Sequence, residues 1–215
     1  ELITRPGVSL GIADPRFDAA GYRALMALKL AEEYYAQPGI LDSVIQDQFT
    51  TPISVFQAGS MSLITVPEIL ETIPQSHVVI RGASIQLIAL LESGDLDYAF
   101  EYESVIRQHN LEWVPLPDGI NLGSAEHNDK YQQVQVNLDF RRFASVAPYF
   151  RGEQIGYGVT IPSNAPHPQA AEQFIAFLLG PEGQQIMAEA YQPLLDPATC
   201  DHPDLVPASL QAYCD

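Results

Sequence analysis

Short apolar runs alternate with longer amphipathic stretches along most of this chain, and that alternation restricts the fold more than any other feature. Val8–Ile12 reads as a short buried strand, and Asp14, Pro15 and Gly21 mark the turn behind it. Ala20–Tyr35 then carries apolar residues at helical spacing, with Leu25, Leu28, Leu30 and Tyr34 among them, until Pro38 and Gly39 stop it. Ile40–Phe49 reads as a second, shorter helix. In Thr51–Gln75 the residues Ile53, Val55, Ile64 and Val66 favour strand, and Gly59 marks the turn of a hairpin. Val78–Arg81 is a further strand, and Ser84 is placed to cap a helix over Ile85–Glu92 that ends at Gly94. Beyond it, strands are predicted over Asp97–Tyr102, Glu112–Leu116, Tyr131–Phe140 and Ile155–Ile161, with a helical turn or two at Ser104–His109. Pro168–Leu179 is strongly amphipathic, and Pro181–Ala190 begins a helix with proline in its first turn. Strands and helices in this order imply α/β architecture with a mostly parallel sheet flanked by helices.

A chain of 215 residues buries a substantial core and makes one or two domains. Its net charge of −17 argues against a nucleic-acid partner, because phosphates would be repelled. The same charge gives no general steering toward a small anion, so an anion site here must be locally organised. No run is long and apolar enough to span a membrane. Glu1 stands just ahead of a strand without an initiator Met or a signal peptide, which leads us to expect a processed or excised fragment. The two cysteines, Cys200 and Cys214, lie in a Pro-rich tail. They are either two free thiols or a disulfide, the latter implying an oxidising compartment and adding about 3 kcal/mol against unfolding of the tail.

Enzyme chemistry finds little support. There is no Gly-x-Ser-x-Gly elbow, no phosphate-binding loop and no dinucleotide fingerprint. The five histidines, at 77, 109, 127, 167 and 202, are scattered, and none pairs with another at zinc-ligand spacing. Two carboxylates stand in more suggestive places. Asp18 lies where the turn after the first strand opens a helix, whose first N–H groups and dipole favour an anion. The competing reading is a routine helix cap. Glu101 ends the apolar run DYAF, which puts it at the carboxyl edge of the sheet, where open α/β sheets bind ligands. Beside Glu103 it reads equally well as a solvated glutamate.

Several segments together resemble the tungstate/molybdate-binding proteins of ABC importers. The segment ADPRFDAAGYR carries that family's signature at Asp14, Pro15, Asp18, Gly21, Tyr22 and Arg23. IALLESGDLDYAFEYESVIRQHNL, LPDGINLG and GYGVTIPSNAPHPQAAEQFIAFLLGPEGQQIM resemble it as well, so the likeness runs from about Val8 to Pro193. Two departures stand out: Ala19–Ala20 replaces the family's Pro-Cys, and the loop Gly82–Gln86 lacks its usual charged residues.

The resemblance implies one lobe of a two-lobed, type II periplasmic-binding fold, with a mixed, mostly parallel sheet flanked by helices. The second lobe is expected over residues 1–147. A return segment to the other lobe is expected over 148–194, and the Pro-rich tail over 195–215. By motif, Asp18 and Glu101 are the ligands to the oxyanion's central metal. A hard hexavalent tungsten or molybdenum centre accepts carboxylate oxygens to complete six-coordination, which sulfate cannot do. Gly21, Tyr22, Tyr102 and Tyr157 are candidate contacts to the oxo groups, with core packing the alternative for each tyrosine. Arg23 either pairs with Asp14 or Asp18 and holds the loop or is exposed.

The implied role is extracytoplasmic capture of tungstate or molybdate for an ABC permease, without enzymatic activity or a cofactor. Most of the family's first lobe has no counterpart here. The chain is therefore expected to hold half a site, and, with an apolar face of Ile155–Met187 left uncovered, to dimerise, to misfold or to need a separate N-terminal chain. A sensory or regulatory domain of the same fold, intracellular and with reduced cysteines, is the alternative.

Overall fold

The computed structural model describes residues 2–141 and 148–215. In chain order the elements are β1 (Leu10–Ala13), α1 (Ala19–Tyr34), α2 (Ile40–Ile45), β2 (Ser54–Ala58), β3 (Met61–Val66), β4 (Val78–Arg81) and α3 (Ile85–Ser93). They continue with β5 (Tyr98–Ala99), α4 (Glu103–Gln108), α5 (Asn128–Tyr131), β6 (Val134–Leu138), β7 (Tyr149–Arg151), α6 (Pro168–Leu179) and α7 (Pro181–Glu189). This is the expected mixed α/β architecture. The chain divides into two compact units, one of residues 1–101 and 114–155, the other of residues 102–113 and 156–215. The sequence-based boundary at 147/148 borders residues 142–147, which lie outside the described residues.

The first unit contains both sheets. In one, β1 lies between β4 and β5, all parallel. In the other, β3 pairs antiparallel with β2 and parallel with β6, and β7 closes the far edge. The β2–β3 hairpin turns where the sequence predicts it, with Gly59 at φ +63°, a conformation that side chains with a Cβ resist. Helix α1 packs on both β1 and β6. That explains why it is apolar around most of its circumference, burying Ala20, Ala24, Leu25, Met26, Leu28 and Leu30. Tyr131 is fully buried in the same core and donates its hydroxyl to the Asp118 carbonyl.

At the amino ends of β1 and β5, Ser9 and Asp97 lock together. The Ser9 N–H and hydroxyl both donate to Asp97 Oδ2 at 2.8 Å, and the Asp97 N–H returns a bond to Ser9 Oγ at 3.0 Å.

The second unit is helical. Helices α6 and α7 pack on each other, and α6 buries Ile175. The segment of residues 102–113 joins them: Gln108 Nε2 donates to the Ala190 carbonyl at 2.7 Å, and the Arg107 guanidinium lies 5.3 Å from the Trp113 ring and 5.8 Å from that of Tyr191. In the tail, Cys200 is bridged to Cys214, Ala198 and Tyr213 share a backbone bond, and the Ser209 hydroxyl reaches Glu172 at 3.0 Å.

Several predicted elements differ. Glu112–Leu116 is not a strand: Pro115 removes a backbone donor a ladder needs, and Pro117 follows at once. Ile155–Ile161 is not a strand either: among the described residues no neighbouring strand pairs with it. Helix α2 ends at Ile45 rather than Phe49, since Gln46 is extended and Asp47 takes φ +60°. Strand β5 shortens to Tyr98–Ala99, and Ser84 makes no side-chain cap.

Candidate functional site

The turn between β1 and α1 carries two aspartates in contrasting settings. Asp14 is buried and meets the Arg16 side chain twice, at 2.9 Å from Nε and 2.6 Å from Nη2, while accepting the Arg16 N–H at 2.9 Å. Arg16 also donates to the Glu68 carbonyl, which ties the turn to the segment after β3. The carboxylate beside it holds the Arg16 guanidinium above its ordinary pKa. Arg16 clasps Asp14, and the Arg23 guanidinium lies over the Tyr22 ring at 5.7 Å.

Asp18 is half-buried and accepts backbone amides on both oxygens. Oδ1 takes the Ala20 N–H at 2.9 Å, capping α1, and Oδ2 takes the Ser84 N–H at 2.7 Å, at the start of α3. One carboxylate thus faces the opening turns of two helices. Each carboxylate oxygen has a second acceptor direction, so two bonds leave capacity for a further partner. The cap reading and the ligand reading are therefore compatible.

Gly21 follows at the first turn of α1. A Cβ there would fall 2.2 Å from the Ala13 carbonyl oxygen and 2.6 Å from Pro15 N, so the glycine allows the helix to lie against the end of β1. Its neighbour Tyr22 is half-buried and stacks flat on Phe150, with ring centroids 4.2 Å apart. Burial pushes its phenol pKa up, partly offset by Arg23. Phe150 was missed from sequence because Tyr149–Arg151 is too short to display a period.

Glu101 follows β5, the strand that hydrogen-bonds to β1 in parallel register, Leu10 opposite Tyr98 and Gly11 opposite Ala99. The Phe100 N–H continues that ladder to the Gly11 carbonyl at 3.1 Å. Glu101 is half-buried, and its Oε2 atom is shielded from solvent. Asp18 and Glu101 thus follow the carboxyl ends of adjacent parallel strands in the first unit. Tyr102 and Tyr157 belong to the second unit, where Tyr102 opens α4 and Tyr157 is 77% exposed. Among the described residues no group of three or more His, Cys, Asp or Glu side chains is gathered at metal-binding distance. A separate open cleft of about 370 Å³ between α1 and the β2–β3 hairpin is lined by Lys29, Glu32, Gln57 and Ser62 among others. Its polar groups bond to one another, Lys29 to Glu32 and Ser62 to Gln57.

Comparison with known proteins matches residues 1–191 to the family of bacterial extracellular solute-binding proteins. An uncharacterized solute-binding protein of Staphylothermus marinus is 37% identical over 91% of this chain and 54% of its own length. The molybdate/tungstate-binding protein WtpA of Thermococcus kodakarensis is 36% identical over 92% of this chain and 52% of its own. WtpA of Pyrococcus abyssi is also 36% identical, over 92% and 54% respectively. The chain spans about half the length of the curated relatives it matches.

Proposed function

We propose that this chain, which belongs to the family of bacterial extracellular solute-binding proteins, binds tungstate or molybdate for delivery to an ABC permease. The observation that carries this reading is that Asp18 and Glu101 each follow the carboxyl end of one of two paired parallel strands, β1 and β5. Two carboxylates behind neighbouring parallel strands lie along the edge where open α/β sheets bind ligands. Asp18, already oriented by amides, and Glu101 would supply two oxygens to a hexavalent metal centre that brings four oxo groups of its own. Similarity to two relatives with molybdate/tungstate binding in their names supports this choice over other oxyanions. Gly21 and Tyr22, on the same turn as Asp18, remain the proposed oxo contacts, through backbone N–H or hydroxyl.

Spanning half the length of its relatives, the chain supplies half of the donors, and the remainder comes from a second polypeptide segment or a second copy. The location is extracytoplasmic, which the Cys200–Cys214 bridge supports, since such bonds persist in oxidising compartments. The bridge equally disfavours the intracellular sensory domain.

Calorimetric titration with tungstate, with sulfate as control, tests the reading. Heat with tungstate, silence with sulfate and loss of the heat in Asp18→Ala are expected. If this chain alone gives no heat, binding should return when the remaining length found in its relatives is supplied. Absence of tungstate binding in both cases defeats the proposal.

A further inference from the structure

The loop Gly82–Gln86 reaches the candidate site through its main chain. Ser84 sits at φ −60° and ψ −36°, its hydroxyl makes no cap bond, and its N–H crosses 66 residues of sequence to Asp18 Oδ2 at 2.7 Å. The Ala20 N–H holds the other oxygen at 2.9 Å. A single amide on Asp18 would leave the carboxylate free to turn about its terminal torsion, which is broad and soft. Donors on both oxygens, from two helices, fix that torsion.

We propose that the backbone N–H of Ser84 is a positioning donor that orients the Asp18 carboxylate toward the oxyanion's metal centre. The inference rests on the reading of Asp18 as a metal-centre ligand. Ser84 acts through Asp18, by pre-setting the orientation that the bound state needs.

The test uses two variants of the full chain. Ser84→Pro deletes the N–H while keeping φ close to the value proline prefers, and proline is tolerated at the start of a helix. Ser84→Ala keeps the N–H and serves as the conservative rescue. Tungstate should bind at least tenfold more weakly to Ser84→Pro, and Ser84→Ala should recover the wild-type affinity, with circular dichroism matched across the set. A folded Ser84→Pro that binds as tightly as wild type overturns the proposal.

A second measurement needs no ligand and covers a Ser84→Pro that does not fold. Amide hydrogen exchange at Ser84, read by NMR, should quicken at least tenfold in Asp18→Ala relative to wild type. Unchanged exchange removes the contact and the proposal with it. If wild type gives no tungstate heat under any supply of the missing length, the functional reading fails, while the Ser84 exchange still decides whether the loop orients Asp18.

Discussion

The two units of this chain are held together by different physics. In the first, Leu10, Ile12, Leu25, Met26, Leu41, Ile64, Val136 and Tyr131 belong to one apolar core that includes α1. In the second, the buried apolar residues described are Ile175 and Leu210, while Phe174, Phe177, Ile186 and Leu205 face solvent. What joins the second unit is a series of local stitches: the Gln108–Ala190 bond, the Arg107 contacts with Trp113 and Tyr191, the Ser209–Glu172 bond and the Cys200–Cys214 bridge. A unit of the first kind loses stability by cavity formation. One of the second kind loses it stitch by stitch, and cross-links count for more where apolar burial is small.

That contrast can be broken at its strongest point. Leu25→Ala should destabilise the first unit by about 4 kcal/mol, as lost burial and a residual cavity add together. The single tryptophan, Trp113, lies in the second unit and reports on it separately. Urea unfolding followed by Trp113 fluorescence should therefore shift less than unfolding followed by far-ultraviolet circular dichroism. Coincident shifts would show one cooperative block and dissolve the distinction.

Reduction with dithiothreitol gives the reciprocal test. Opening the Cys200–Cys214 bridge should cost about 3 kcal/mol of tail stability on the loop-entropy account. Protease cleavage within residues 195–215 should speed up while the first unit stays resistant.

The smallest effect sharpens the account of the sheet. Hydrogen bonds from Ser9, first its backbone and then its hydroxyl, lower the Asp97 pKa below its ordinary value of 3.8. A depressed carboxylate adds stability that is complete above the unfolded-state value and is lost as pH falls through the folded one. Urea midpoints measured down an acid series should therefore fall less steeply in Asp97→Asn than in wild type. Identical slopes would assign the acid limb to other carboxylates.

The sequence displays those parts of this fold whose cause is local. Pro168–Leu179 and Val78–Arg81 are bounded in the structure where their patterns end, because the proline, glycine and apolar spacing that define them lie within the segment. Ile155–Ile161 has an equally strand-like composition, but a ladder needs a partner, and composition does not reveal one. At the candidate site, the capping half of Asp18 was readable from its place before Ala19–Tyr34. Its bond to Ser84 was not, since a main-chain donor 66 residues away leaves no mark in residue type. Ser84 itself looked like a side-chain cap and instead lends only its N–H. Arg16 was overlooked for a different reason: its clasp on Asp14 belongs to a local turn in which the Asp14 carboxylate accepts the Arg16 N–H, and that turn carries no periodic signal.

The Ser9–Asp97 lock has a consequence at the opposite end of its strands. β1 and β5 share only two aligned residue pairs, Leu10 with Tyr98 and Gly11 with Ala99, so the Ser9–Asp97 bonds join the Tyr98–Ser9 and Phe100–Gly11 backbone bonds in setting the register of a short ladder. A slip by one residue would carry Glu101 about 3.3 Å along the strand and turn its side chain to the opposite face of the sheet. A half-buried serine and an exposed aspartate thereby help keep Glu101 in step with Asp18.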